Sequence, residues 1–209
     1  MLSVPFVQIC AGVALAATAV GIGMGILRRP AGAVPVRVVA RTIPARGTLL
    51  LWIAGTMLAI FWPVGVFLAP TYAYHWPALP DYTGSWAVQI AGVFMAAAGG
   101  ILYSRAARTL GRQMTPAIQV RQGHELIQSG PYRYIRHPVY TAVIAIALGQ
   151  TLLFQSLPLV GLTVVLVGLA LYRARLEERL LSSPAGFGGA YSSYAARTGR
   201  FLPRLNAGP

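Results

Sequence analysis

Glu177 and Glu178 close a long apolar run together with Arg173, and Glu125 lies just before the stretch GPYRYIRHPVYTA, Gly130–Ala142. Three of the four acidic residues in a chain of net charge +13 thus gather around one segment rich in Tyr, Arg, His and Pro. Arg173 and Glu177 are four residues apart and share a helical face, while Glu178 lies about a third of a turn further round. Gly130 before Pro131 suits a tight turn, and Pro138 suits the first turn of a helix, where its missing N–H costs nothing. His137, Val139 and Tyr140 then stand at the mouth of that helix, whose free N–H groups and positive dipole end can receive an anion. Taken singly, Arg133 and Arg136 read as membrane anchors and Tyr132 and Tyr134 as interfacial aromatics. Arg173–Glu177 reads as a surface pair worth a few tenths of a kcal/mol. Those readings do not explain the joint arrangement of a turn, paired aromatics, Arg-His-Pro at a helix start and carboxylates on a partner helix.

The elements that must hold these residues are membrane helices. The chain is 56% hydrophobic and 10% charged, with a mean hydropathy of +0.62, outside the balance of a soluble domain. Asp, Glu, Lys and Arg are absent from 1–27, 47–80, 82–104 and 137–172, each able to supply the roughly 20 apolar residues that cross a bilayer. The first is expected to be a retained anchor and not a secretory signal, because Arg28 and Arg29 follow the apolar run. The second predicts a helix over about 48–69, kinked at Pro63. The last is too long for one span, and FQSLP at 154–158 divides it into a helical hairpin, 138–154 and 158–180.

Five spans with an outside N-terminus place 28–47, 105–137 and 173–209 on one side. These segments hold five, six and six arginines, all 17 basic residues of a chain without lysine. That side is expected to be cytoplasmic, and the two ends of the hairpin should face one another there. The arginines sit beside spans with no basic-aromatic run, so headgroups and topogenesis explain the charge better than nucleic acid. The all-arginine set fits a GC-rich bacterial gene and hence an inner-membrane location. Cys10 excludes an intramolecular disulfide. AYHWPALPDYTGSW, 73–86, reads as an interfacial aromatic belt that includes His75, and Gly92, Ala96 and Gly100 form a small-residue stripe for close helix contact. No metal site is expected.

The blocks LGRQMTPAIQ, HELIQSGPYRYIRHPVYTA, the acidic pair at 177–178 and FGGAYSSYAARTGRFLP cover roughly 108–204. In order and spacing they resemble the isoprenylcysteine carboxyl methyltransferase family and its bacterial relatives, which overlap with phospholipid methyltransferases. The resemblance implies an all-α integral membrane protein of five transmembrane helices. Residues 1–104 would supply three helices, and 105–209 a methyltransferase core with the hairpin 138–180 and a cytoplasmic tail, folded as one unit. It also implies an S-adenosylmethionine pocket at the cytoplasmic side, formed by 105–137 and the C-terminal helix and tail. Cofactor contacts would come from His124, Glu125, Leu126, Ile127, Tyr132, His137, Pro138, Val139 and Tyr140, with Glu177 or its neighbour Glu178 completing the shell. Arg173 would face the methyl acceptor, and Glu178 or His137 would take the proton of an amine acceptor. Two departures from the family are Ala142, where it usually has glycine, and the longer connection SSPAG, 182–186.

The expected reaction is direct displacement onto a lipophilic acceptor from the membrane, catalysed by alignment in a dry site. The sequence leaves open a phospholipid or small-molecule N- or S-methyltransferase, and a non-catalytic lipid-binding scaffold of the same fold.

Overall fold

The computed structural model describes residues 3–10, 12, 38–42, 47–69 and 83–204. Among the described residues its helices include α1 (Thr48–Leu68), α2 (Ser85–Leu110), α3 (Pro138–Phe154), α4 (Leu157–Ser182) and the short α5 (Gly189–Arg197). α1, α2 and α4 are long and apolar enough to cross a membrane, and α3 is an apolar helix of 17 residues. The molecule is therefore a mainly helical membrane protein. The first expected span lies mostly outside the described residues, as do His75 and most of the aromatic belt; Trp86 is exposed on the first turn of α2. Pro63 lies inside α1, and the hairpin 138–154 and 158–180 is present as α3 and α4.

Not everything is helix. β1 (Val38–Arg41) pairs antiparallel with β2 (Gln119–Arg121), Arg41 opposite Gln119. Strands this short escape a reading built on helical periodicity, because two or three alternations carry little signal. The ribbon belongs to the site end of the bundle, where β2 packs against α4. Val7 packs at the opposite end, with Val66, Leu153, Phe154 and Leu159.

α2 and α3 form the closest helix pair. A Cβ on Gly149 would lie 2.5 Å from the Ala96 nitrogen and 2.6 Å from the Gly92 oxygen, and one on Gly99 would meet the Ile146 nitrogen at 2.9 Å. The small-residue seam therefore runs Gly92, Ala96, Gly99, answered by Gly149. Gly100, expected in it, has nothing within 4 Å of an added Cβ. The reason is rotational: steps of four then three follow a helix face, whereas two steps of four drift away from it. Ala142 is fully buried in the same seam, its carbonyl facing Gly99. Gly149→Ala should lower stability by roughly 1–3 kcal/mol by forcing backbones apart, while Gly100→Ala should be neutral or slightly stabilising. Thermal melting of the two variants side by side checks the seam; equal melting would refute it.

The far end of the hairpin is polar and buried. Gln155 adopts φ 46° at the turn and its amide donates to the Ser85 carbonyl at 3.2 Å, while Gln89 donates to the Leu153 carbonyl at 2.8 Å. Thr151 and Thr163 meet at 2.9 Å between α3 and α4. In an apolar surround such bonds fix the register of neighbouring helices, and so fix how the opposite ends of α3 and α4 face each other.

Candidate active site

At that opposite end the start of α3 meets the last turns of α4. Tyr140 donates to Glu177 Oε2 at 3.0 Å, and His137 stands between the two carboxylates, Nε2 at 3.2 Å from Glu178 Oε1 and Nδ1 at 3.7 Å from Glu177 Oε2. His137 stacks on Tyr140 with ring centroids 5.4 Å apart, and Trp52 of α1 meets Tyr140 edge-on at 5.1 Å. Thr141 N–H gives the first backbone hydrogen bond into α3, to the His137 carbonyl. The amides of Val139 and Tyr140 precede it and have no acceptor within their own helix.

The tail builds the back of this wall. Arg136 and His137 N–H donate to the carbonyls of Gly199 and Arg200 at 2.8 and 3.1 Å, and Gly199 N–H returns one to Tyr134 at 3.1 Å. Arg136 Nε and Arg200 Nε donate to Glu178 Oε1 at 3.1 and 3.0 Å, and a second Arg200 nitrogen engages Oε2. Tyr194 Oη donates to the Tyr132 carbonyl at 2.7 Å. Burial pushes the phenols of Tyr132, Tyr191 and Tyr194 up, the last to about 12, so all three remain neutral donors at physiological pH.

Between these walls lies a mainly apolar cavity of about 390 Å³. α1 contributes Trp52, Ile53, Thr56 and Met57; α2 contributes Tyr103 and Leu110; the segment after it contributes Gln113 to Gln119. His124, Glu125, Leu126, Ile127, Tyr132, His137, Val139, Tyr140, Arg173 and Glu177, all expected at the site from sequence, line it too. Two expected residues lie off it. Pro138 is buried in the first turn of α3 and shapes the backbone. Glu178 points behind the wall, because one step along a helix rotates it about 100° from Glu177; with two arginines and His137 on its carboxylate, it is a clamp and not a free base.

Arg173 is 2% exposed, donates to the Pro116 carbonyl, and holds its guanidinium 5.7 Å from the Trp52 ring. Its Nε and one terminal nitrogen are buried without a hydrogen-bond partner. His124 Nδ1, Gln113 Oε1, Tyr191 Oη and Thr56 Oγ1 are orphaned as well. All belong to residues lining this cavity, whereas buried polar groups are ordinarily satisfied. The cavity thus carries unused polar capacity inside an apolar shell.

The SSPAG connection folds tightly on the end of α4: Phe187 N–H reaches the Leu181 carbonyl at 2.7 Å, and a Cβ on Gly186 would meet the Leu180 oxygen at 2.4 Å. This return sets Phe187 edge-on to His124, centroids 5.5 Å apart. Burial, then Arg121, push the His124 imidazole below its ordinary value, with Glu177 opposing. The neutral ring is therefore favoured in the fold. Its stabilisation is complete above about pH 6.5 and is lost as pH falls through the lowered native value. Melting temperature should drop more steeply below pH 6.5 in the parent than in His124→Gln; parallel pH profiles would refute this.

Sequence reasoning missed Trp52, Thr56, Phe187, Tyr191, Arg136 and Arg200. Tyr191, Tyr194 and Thr198 do carry a helical three-and-four spacing that marks one face. No local signal marks Arg200 as the partner of Glu178.

A helical membrane bundle enclosing a cavity lined by aromatic rings, carboxylates and one buried arginine defines the class, and comparison with known proteins defines the chemistry. The profile of the isoprenylcysteine carboxyl methyltransferase family matches residues 92–183. A probable protein-S-isoprenylcysteine O-methyltransferase of Oryza sativa subsp. indica is 34% identical over 136 residues, 64% of this chain and 69% of that protein. The Homo sapiens protein-S-isoprenylcysteine O-methyltransferase is 29% identical over 130 residues, 61% and 44% of the two chains. The cobalt-zinc-cadmium resistance protein CzcN of Cupriavidus metallidurans is 34% identical over 91 residues, 43% of this chain and 40% of that one. The chain belongs to the isoprenylcysteine carboxyl methyltransferase family. It is a methyltransferase.

Proposed function

We propose that this enzyme methylates the carboxylate of a lipophilic acceptor drawn from the bilayer, using S-adenosylmethionine, at the cytoplasmic face of a bacterial inner membrane. The observation that carries the reading is the convergence of orphaned buried polar atoms on one apolar cavity. When bound, S-adenosylmethionine supplies an electrophilic methyl group on a sulfonium cation. The residues present fit that cofactor. Glu177 and the rings of Tyr132, Tyr140 and His137 favour a cation, and the free amides at the start of α3 suit a carboxylate. His124 through Ile127 and Tyr191 complete a wall with unused polar capacity.

Arg173 holds the acceptor carboxylate with the two nitrogens that lack partners. A carboxylate attacks as the anion, so no residue has to remove a proton. The geometry favours this over an amine acceptor, because His137 is engaged by both carboxylates and Glu178 is turned away. Ile53 and Met57, both on the apolar helix α1, line the cavity and are also exposed; they supply an apolar flank along which a lipid tail can lie. A prenylated cysteine, the group named in the relatives, meets all these demands.

Titration calorimetry of the protein in detergent with S-adenosylmethionine should show binding. Labelled methyl transfer should then favour an S-prenylated N-acylcysteine over a fatty acid and over phosphatidylethanolamine, with the label released by base as from an ester. No binding at millimolar cofactor, or label on the amine alone, would overturn the reading.

A further inference from the structure

Behind the cavity wall lies a second depression, open to the surface and of about 520 Å³. Arg175, Arg179 and Arg200 line it, together with Glu178, Ser182, Tyr191, Ser192 and Ala195. Three arginines against one carboxylate leave it cationic, and that carboxylate is already engaged by Arg136, His137 and Arg200. Arg175 and Arg179 are exposed, one turn apart on α4. Ser182 and Ser192 direct their hydroxyls to the carbonyls of Arg179 and Gly188, so the arginines carry any recognition.

Towards the membrane span, α4 presents an exposed apolar face next to this depression. Gly161, Val164, Gly168, Leu171 and Arg175 are all exposed, and their spacing of three, four, three and four places them on one face of α4. An added Cβ at Gly161 or Gly168 would meet nothing within 4 Å. The result is an open apolar track on the surface of α4 that ends at a pair of exposed arginines just past the last apolar residues of the span. A free anion would have no use for the track, and an acyl chain alone would have none for the arginines.

We propose that this face binds an anionic phospholipid, with the phosphate of its headgroup held by Arg175 and Arg179 and an acyl chain lying along Gly161 to Leu171. Arg200 sits between the lipid phosphate and Glu178, and Tyr191 lines both this depression and the catalytic cavity. A bound headgroup thus rests against the same wall that positions His137.

The protein in neutral detergent, mixed with phosphatidylglycerol and phosphatidylcholine of matched chains, should retain the anionic lipid about 25-fold more in native mass spectrometry, since each of the two surface arginines contributes on the order of fivefold. Arg175→Gln with Arg179→Gln should abolish that preference. Arg105→Gln with Arg108→Gln, which removes equal charge from the exposed surface of α2, should keep it. Inorganic phosphate at 10 mM should not displace the lipid. Lack of preference, equal loss in the α2 pair, or displacement by phosphate overturns the proposal, the last indicating a free-anion site. Cofactor binding by the α4 pair should match the parent, which verifies its fold; Arg179→Gln alone should halve the preference at least and serves if the pair fails to fold.

Discussion

Arg173→Ala should lower methyl transfer by roughly 10²–10³-fold, the range seen when a buried donor to a reacting oxygen is removed, while cofactor affinity changes little. The arginine is buried, fixed by the Pro116 carbonyl on one side and by the Trp52 face on the other, with two nitrogens left over. Fixation is the point: a guanidinium already aimed loses no freedom when an acceptor arrives. Arg173→Lys should fail to rescue, because a single ammonium cannot meet the Pro116 carbonyl and a carboxylate in the same planar fork. Calorimetry with the cofactor and single-turnover transfer separate the two effects. A variant that loses cofactor binding and transfer in parallel would move Arg173 from the acceptor side to the cofactor side.

Glu178→Ala should act on a different axis. It leaves Arg136 and Arg200 facing an empty site beside His137, and removing one partner of a buried ion network costs about 3–5 kcal/mol. The carboxylate is 15% exposed, so a loss near the lower end, about 3 kcal/mol, is expected. For a chain of this size that is a fall of roughly 6–12 °C in melting temperature. Glu177→Gln, whose side chain is 35% exposed and accepts from Tyr140 beside His137, should leave melting nearly unchanged and weaken cofactor binding. The contrast tests the division of labour between neighbouring carboxylates: equal melting of the two variants would refute it.

What the sequence made legible was the chemistry that is local. Pro138 at a helix start, Arg173 and Glu177 on one helical face, and the break at FQSLP each follow from rules operating within a few residues, and α3, α4 and their facing ends stand as those rules require. Trp52 and Thr56 were invisible because an apolar span carries no periodic contrast to show which face turns inward. The Gly100 assignment failed for a related reason, since a four-residue spacing approximates a helical face over one turn only. Arg200 and Glu178 are 22 residues apart and joined through a turn with no repeating pattern. Their pairing is a property of the folded tail.

That tail has a consequence for the order of events in the cell. The amides of Arg136 and His137 are tied to the carbonyls of Gly199 and Arg200, so the wall behind the cavity takes support from residues synthesised after α1 to α4. The membrane helices can be inserted before Gly199 and Arg200 emerge from the ribosome, and these backbone hydrogen bonds form only afterwards. A chain cut short before Gly199 would leave the amides of Arg136 and His137 without these carbonyl partners.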